Sequence, residues 1–292
     1  MKRRDFVRIA LLLCAAPALA APRERFQRGL LWRVTHKDFG PSHVYGTIHV
    51  ADARLAALPP PVREAFDRAK TLMLEFVPDR YARERFLEAA MFLDHQTLEQ
   101  KIGAEDFERA VRHLAPIGLQ REFINKLKPW GVLLNLRNPG GQDGSPLDSQ
   151  LLELARERRM PLHQIEGVEE QIFTFDEFPM ESQVALLKHS LVNEAELREL
   201  ADRTLEAYLA GDLTAIWRLR EEFVARHPSI APHQAVMTKR VVHDRSVVMA
   251  FRMQRQLRRG DAFIALGALH LYGEKGVLAL LEADGYRATR VF

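Results

Sequence analysis

Hydrophobic residues along the chain follow two patterns, and each pattern predicts one kind of element. Short, largely apolar runs are typical of buried strands. Longer stretches repeat apolar residues every three or four positions, as in Phe86, Ala89, Ala90 and Leu93, which predicts amphipathic helices. The predicted strands cover residues 30–35, 42–48, 71–76, 161–166, 262–267 and 286–292.

Strands that alternate with helices predict an α/β fold. We expect a central mixed, largely parallel sheet with flanking helices. A long helical insertion between strands is also expected, because residues 168–257 are mostly helical in pattern. The Gly40-Pro41 turn predicts a hairpin between the first two strands, and residues 138–144 predict a surface loop. No linker requires a second domain, so one domain over residues 21–292 is expected.

The first twenty residues have the pattern of an export signal. A basic start precedes an apolar run with one proline, and Ala18-Leu19-Ala20 matches an A-x-A cleavage site. The run is shorter than the roughly 20 residues that a spanning helix needs. Arg3-Arg4 followed by Phe6 resembles a twin-arginine signal, and a plain Sec signal is the alternative. We therefore expect a periplasmic or secreted protein, cleaved near Ala20, that retains no transmembrane segment.

The net charge and the cysteine content of the chain differ with and without the first twenty residues. The 292 residues include 42 basic and 39 acidic ones, a formal net charge of +3, and a single cysteine, Cys14. Residues 1–20 hold that cysteine, four of the basic residues and one acidic residue, so the remainder is neutral and free of thiols. This composition excludes a disulfide framework, a Cys-based zinc site and an Fe–S cluster, and no nucleic-acid partner is expected. Any metal site must use His, Asp or Glu.

Ionisable residues stand at or just beyond the ends of four predicted strands: His49, Glu75, Glu166 and His270. The segment from His49 to Glu75 has the length of a βαβ crossover, which places both residues at the carboxyl ends of parallel strands. Open α/β sheets form their sites at that edge. Two histidines and one or two glutamates that converge there would form a nitrogen- and oxygen-ligand metal site.

A G-x-x-H-apolar pattern occurs twice near these strand ends. Gly46 precedes His49, and Gly267 precedes His270, each by three residues. Glycine lets the backbone bend closely at such a turn. A helix is predicted after each pattern, and a helix start offers free N–H groups to an anion.

Structural explanations exist for each candidate residue. A histidine near an apolar strand can be a hydrogen-bonded core residue. Glu75 can form a buried salt bridge with an arginine. Glu166 and Glu170 can be N-terminal acids of the helix that starts at Val168, and for Glu170 this is the preferred interpretation. Arg240 and Arg245 lie on a basic helix whose charges are expected mostly to face solvent.

Taken in order, these motifs resemble the TraB/GumN/Tiki family over nearly all of residues 21–292. The motifs that carry the resemblance are Leu31-Trp32-Arg33-Val34, Tyr45-Gly46-Thr47-Ile48-His49-Val50, Leu58-Pro59-Pro60, Leu72-Met73-Leu74-Glu75, Leu127-Lys128-Pro129-Trp130, Leu147-Asp148, Glu166-Gly167-Val168-Glu169-Glu170-Gln171, Tyr208-Leu209-Ala210-Gly211-Asp212-Leu213, Ala265-Leu266-Gly267-Ala268-Leu269-His270-Leu271 and Gly273-Glu274-Lys275-Gly276-Val277-Leu278-Ala279-Leu280-Leu281.

The resemblance implies a metal-dependent hydrolase fold shared with erythromycin-esterase-like proteins. Tiki members act as metalloproteases, and TraB members are linked to the inactivation of small peptide pheromones. By motif position, His49 and His270 are the two G-x-x-H histidines and Glu75 is the strand glutamate. Arg245 fits an Arg-Asn motif of the family, with Ser246 in place of the asparagine.

The resulting hypothesis is an exported metal-dependent hydrolase, most simply a peptidase, acting on a peptide or small-molecule substrate. His49, Glu75 and His270 would bind Mn²⁺, Co²⁺ or Zn²⁺, and the ion would activate a water. Glu166 or Glu75 would take the proton from that water. Arg245 would stabilise the oxyanion or hold a peptide carboxylate.

Two alternatives remain open at this point. One is a metal-independent, esterase-like hydrolase in which His49 acts as the base and Glu75 orients it. The other is a periplasmic protein that keeps the fold and binds haem, a peptide or a glycan without turnover. The serine at position 246 favours this second alternative.

Overall fold

The structure is a computed structural model, and it describes residues 25–137 and 145–292. The predicted export signal and the predicted loop at 138–144 lie outside these residues. A six-stranded sheet forms the centre, in the order β4-β3-β5-β2-β1-β6. Its strands are β1 (Leu31–His36), β2 (Phe39–Thr47), β3 (Thr71–Leu74), β4 (Leu162–Gln164), β5 (Ala262–Gly267) and β6 (Arg287–Arg290).

The sheet is mixed and mostly parallel. β4, β3, β5 and β2 run parallel to one another, so their carboxyl ends share one edge. β1 pairs antiparallel with both β2 and β6. β5 occupies the middle and is buried along almost its whole length, which explains why its sequence is apolar without alternation.

Helices surround the sheet and fill the long connections between its strands. They are α1 (Pro60–Arg68), α2 (Arg80–Ala89), α3 (Leu98–Ile102), α4 (Ala104–Leu114), α5 (Arg121–Ile124), α6 (Pro129–Arg137), α7 (Leu147–Glu157), α8 (Val168–Asp176), α9 (Met180–Val192), α10 (Glu194–Leu209), α11 (Leu213–Arg226), α12 (Ala231–Thr238), α13 (Arg245–Arg259) and α14 (Val277–Ala283). A π-helical segment, Lys239–Asp244, joins α12 to α13. Within the described residues, no helix is both long and apolar enough to cross a membrane.

Two hydrophobic cores hold these layers together. The first lies around the sheet, where Leu72 and Phe263 are fully buried and Met249 and Met253 of α13 pack against it. The second lies among the helices, around Trp130 of α6. Because the helical layer has a core of its own, it forms a packed wall beside the sheet rather than a loose insertion.

The α/β fold predicted from the sequence is confirmed, including the long helical stretch between β4 and β5. The predicted hairpin forms, but its turn lies at residues 37–38, and Gly40-Pro41, where the turn was predicted, belongs to β2.

The regular part of three strands is shorter than predicted. β3 ends at Leu74, two residues before the predicted end. β4 ends at Gln164, although the N–H groups of Ile165 and Glu166 continue the pairing by donating to the carbonyls of Leu74 and Glu75. β6 ends at Arg290, and the last two residues likewise bond to β1 without regular strand geometry.

Candidate active site

The carboxyl edge of the parallel strands brings the predicted site residues together. Glu75 directly follows β3, His49 follows β2 by two residues, and Glu166 follows β4 by two residues. His270 ends a single 3₁₀ turn that follows β5. The point where a side chain would begin at Gly267 lies 3.2 Å from Glu75 Oε1, 3.6 Å from His270 Cδ2 and 3.9 Å from His49 Nε2. The three side chains proposed as ligands therefore surround one small volume beside Gly267.

Both glycines of the repeated pattern permit close approach of the backbone. A Cβ on Gly46 would lie 2.7 Å from Leu271 Cδ1 and 3.0 Å from Ala268 Cα, so the first pattern is seated directly against the second. Gly267 leaves room for the Glu75 carboxylate, which accepts a hydrogen bond from the Gly267 N–H. These contacts, rather than positive φ angles, explain why glycine suits both positions.

Arg245 bridges the two buried carboxylates. Its Nη2 lies 2.7 Å from Glu75 Oε2 and 2.6 Å from Glu166 Oε2, and its Nε donates to Glu166 at 3.0 Å. The Arg245 side chain is only 11% exposed, so the expectation that its charge faces solvent is wrong. The reason is that α13 begins at Arg245 beside the strand edge, where two carboxylates need a cation.

The charge state of Glu75 follows from these neighbours. Burial alone would raise the pKa of its carboxyl group. The positive charges of His270 when protonated, Arg245 and His49, together with the Gly267 N–H, instead lower that pKa to about 2. Glu75 is therefore a carboxylate throughout the physiological pH range.

His270 is buried and held in one tautomer. The Ser246 hydroxyl donates to the Val242 carbonyl at 2.8 Å and lies 2.8 Å from His270 Nδ1. Because the hydroxyl hydrogen is already used, Nδ1 must be the donor to Ser246 Oγ. Burial is the main cause that lowers the pKa of His270 to about 4, so the ring is neutral and Nε2 carries a lone pair. That Nε2 lies 3.8 Å from Glu75 Oε1.

His49 is oriented by a residue that the sequence placed only in the Leu147-Asp148 motif, without a predicted role. Asp148, in the first turn of α7, lies with Oδ2 3.0 Å from His49 Nδ1, and it accepts a hydrogen bond from Thr47 Oγ1 at 3.1 Å. Burial works against the charged imidazole, but the close contact with Asp148 and the charges of Asp148 and Glu75 raise the pKa of His49 to about 9. The His49 side chain remains 55% exposed. Asp148, and not Glu75, is therefore the group that orients His49.

The donor atoms partly fit a metal ion. Two ligands about 2.1 Å from one ion lie at most about 4.2 Å apart. The 3.8 Å between His270 Nε2 and Glu75 Oε1 is compatible with that limit. Within residues 25–137 and 145–292, however, no three His, Cys, Asp or Glu side chains already lie close enough to hold a metal. His49 would need to move towards the other two to complete such a set.

A cavity of about 240 Å³ opens onto this cluster. His49, Glu75 and Arg245 line its polar end. Its other walls come from α6, α8 and the segment that joins α12 to α13: Trp130, Leu133, Leu134, Gln171, Thr174, Phe175, Phe178, Met237, Arg240 and Val241. The cavity thus lies where the sheet core and the helical core meet.

The contacts of four site residues can be compared with the structural roles considered for them in the sequence. Glu75 does pair with an arginine, and the same arginine also binds Glu166. Glu170 accepts from the Gly167 N–H as an N-terminal acid, as expected. Glu166 instead faces the site, where Gln171 donates to it at 2.7 Å. Ser246 supplies the polar contact that an asparagine was expected to make.

Comparisons with known proteins identify relatives along nearly the whole chain. The profile of the TraB/PrgY/gumN family matches residues 30–290. Metalloprotease TIKI2 of Danio rerio is 22% identical over 90% of this chain and 61% of its own length. The chain therefore spans about three fifths of TIKI2. The uncharacterized protein YbaP is 24% identical in Shigella flexneri and 23% in Escherichia coli K12, in both cases over 82% of this chain and 88% and 87% of YbaP, respectively. No solved structure matches the chain.

Proposed function

The chain belongs to the TraB/PrgY/gumN family, and from this we propose that it is a metal-dependent hydrolase, of the peptidase kind, that acts on a peptide or small molecule. Its distant similarity to a protein named metalloprotease supports the hydrolytic class. Fold and family alone do not establish catalysis, so the proposal depends on the site.

One observation carries the proposal: His270 Nε2 and Glu75 Oε1 face each other across 3.8 Å in a buried site. Ser246 holds the Nδ1 proton, and Glu75 is ionised, so both facing atoms are acceptors. Two buried acceptors repel each other unless a cation or proton lies between them. A divalent cation satisfies both atoms at once.

His49, Glu75 and His270 would hold the ion, which can be Mn²⁺, Co²⁺ or Zn²⁺, since imidazole and carboxylate suit all three. When bound, such an ion polarises a carbonyl and makes a water more acidic. The chain's own contribution is the geometry around it. Ser246 and Asp148 fix the ring orientations of the two histidines, as outer partners of metal ligands commonly do.

Glu166 and Arg245 have separate roles in the proposed reaction. Glu166 accepts hydrogen bonds from Arg245 and Gln171, both of which line the cavity, so its buried carboxylate is fixed directly behind the cavity wall. A carboxylate held there can take a proton from a water within hydrogen-bond reach. Arg245 keeps the two carboxylates apart and presents a cation to the cavity, where negative charge develops during acyl transfer.

A metal-independent hydrolase is the second candidate, because Asp148 and His49 form an orienter–base pair. In catalytic triads, a carboxylate binds one ring nitrogen of a histidine and the other nitrogen acts as the base. The raised pKa of His49 does not separate the two candidates, since a protonated ring can neither accept a proton nor bind a metal until it is deprotonated. The non-catalytic binding protein loses its support, because Ser246 makes the contact whose loss had favoured it.

Metal content of the purified protein tests the proposal. His49→Ala and His270→Ala are expected to abolish stoichiometric binding of Mn²⁺, Co²⁺ or Zn²⁺ measured by plasma mass spectrometry. His95→Ala, at an exposed position outside the cavity, serves as the matched control and keeps the metal. Unchanged metal content in both site variants would refute the ligand assignment, and full peptide cleavage in EDTA would favour the metal-independent candidate.

Export is a separate proposal that is supported by the sequence pattern of residues 1–20. A single family domain over residues 21–292 likewise stays a prediction. Fractionation of cells that express the full chain, with N-terminal sequencing of the product, tests both. A periplasmic or secreted product that starts at Ala21 is expected, and a cytoplasmic product that keeps Met1 would contradict export.

A further inference from the structure

A second arginine lines the cavity, and no carboxylate in the described part of the chain pairs with it. Arg245 is paired with Glu75 and Glu166. Arg240 is partly buried in the wall of the same cavity. Among the described residues it forms no hydrogen bond, ion pair or ring contact. Within residues 25–137 and 145–292, the N–H groups of this guanidinium are therefore not used by any other group of the protein.

The π-helical segment Lys239–Asp244 explains why Arg240 faces the cavity. In an α-helix of about 3.6 residues per turn, positions five apart lie on different faces. A π-helix closes each turn with an i to i+5 bond, which brings such positions onto one face. Arg240 and Arg245 are five residues apart, and both line the cavity. π-helical turns are frequent at functional sites.

The cavity beside Arg240 is largely apolar. Its walls include Trp130, Leu133 and Leu134 of α6, with Phe175 and Phe178 from α8 and the turn after it. A cavity of roughly 150 Å³ is enough to hold benzene. At about 240 Å³, this one accepts a branched or aromatic side chain with room for a polar group beside it.

Building on the proposed hydrolase function, we propose that Arg240 is a specificity residue that binds the free carboxylate of an apolar substrate. The planar guanidinium fork matches a carboxylate through two parallel N–H bonds. The substrate class is a short peptide or N-acyl amino acid whose terminal residue carries an apolar side chain and a free carboxylate. The side chain fills the wall around Trp130 and Phe175, and the carboxylate bonds to Arg240. The role of holding a peptide carboxylate therefore passes from Arg245, whose charge is already matched, to Arg240.

Matched pairs of ligands test this inference. The probes are N-acetyl dipeptides that end in Phe, Leu or Met, each as the free acid and as the carboxamide. Binding to the purified protein is measured by titration calorimetry, and the same samples are analysed for products by mass spectrometry. At least one acid is expected to bind tenfold or more tightly than its amide. Arg240→Gln is expected to reduce that ratio below about twofold, and Arg240→Lys to retain part of it.

Arg255→Gln is the matched control, because Arg255 is an exposed arginine on α13 that does not line the cavity. This variant keeps the acid-to-amide ratio of the wild type. Equal binding of acids and amides by the wild type, no binding by any acid, or an unchanged ratio in Arg240→Gln would each overturn the inference.

Failure of the inference is distinguishable from failure of the proposed function. Metal-dependent cleavage of acids and amides at equal rates keeps the hydrolase and removes the role of Arg240. Tight, Arg240-dependent binding of acids without any cleavage keeps the carboxylate subsite and removes the hydrolase. Thermal melting of each variant confirms that it is folded before binding is compared.

Discussion

His270 donates its Nδ1 proton to the hydroxyl of Ser246 across 2.8 Å, and this bond aims the free Nε2 at Glu75. Ser246 can accept because its own hydrogen is used by the Val242 carbonyl one turn earlier in the helix. A serine whose side chain is completely buried thus decides which nitrogen of the imidazole is available to a cation. The orientation of the His270 ring is set by α13, and its position by the turn that follows β5.

Ser246→Ala is expected to weaken divalent-metal affinity by about 10- to 100-fold, because the His270 ring loses its orienting partner. Competition with a metal chelator measures the change. Ser182→Ala is a closely matched control, since Ser182 makes an equivalent 2.8 Å contact with His233 Nδ1 away from the cavity. Equal metal affinity in the two variants would contradict the role given to Ser246.

Arg245→Gln is expected to lower the free energy of unfolding by about 3–5 kcal/mol, because it leaves two buried carboxylates without a cation. Urea denaturation measures this loss. Arg252→Gln breaks a partly exposed pair with Glu170 and is expected to cost less than about 1 kcal/mol. Similar losses of unfolding free energy in both variants would contradict a larger contribution of the buried ion pairs.

Asp148→Asn is expected to reduce kcat/KM by about 10- to 100-fold while leaving the fold intact, because the amide no longer orients His49 as a carboxylate does. Peptide cleavage and thermal melting measure the two effects separately. In NMR titrations the pKa of His49 is expected to fall from about 9, since the carboxylate contact and charge that raise it are lost. An unchanged titration would mean that Asp148 does not set the state of His49.

Gly267→Ala is expected to abolish metal binding with only a modest loss of stability. The added methyl group would lie 3.2 Å from Glu75 Oε1 and between the two histidines. Gly40→Ala is the control, because Gly40 is exposed and an added methyl group would meet only Gly260 Cα, at 3.6 Å. Normal metal content in Gly267→Ala would place the ion elsewhere.

The protein is expected to lose stability in mild acid through His43 on β2. Burial is the main cause that lowers the pKa of His43, and the positive charges of Arg33 and Arg68 add to it. A lowered pKa means that the folded state binds fewer protons than the unfolded state once the pH falls below about 6.5. Its contribution is therefore present above that pH and lost as the pH falls through the lowered pKa. Urea denaturation of His43→Gln should show a flatter pH dependence than the wild type, and parallel curves would contradict this assignment.

The sequence was sufficient to predict which ionisable residues meet at one edge of the sheet, because the ends of apolar parallel strands mark its carboxyl edge. His49, Glu75, Glu166 and His270 all lie at that edge. It was not sufficient to predict which residues support them. Asp148 stands in the first turn of a helix, where an acid is common for local reasons alone.

Contacts across long sequence separations explain the remaining differences. Arg245 is 170 residues from Glu75 and 79 from Glu166, and a basic helix gives no sign of which arginine will turn inward. The Gly267 N–H belongs to the backbone, and nearly every residue has a backbone N–H, so the sequence does not mark this donor. The π-helical segment has no simple hydrophobic period, so the position of Arg240 in the cavity wall could not be read from spacing.

The central place of β5 in the sheet has a consequence for the order in which the molecule is made. β5 separates β3 from β2, although it is nearly the last strand to be synthesised. Until residues 262–270 have left the ribosome, Glu75 has no Gly267 amide and the site has only one of its two histidines. The candidate site is therefore complete only when nearly the whole chain has been synthesised.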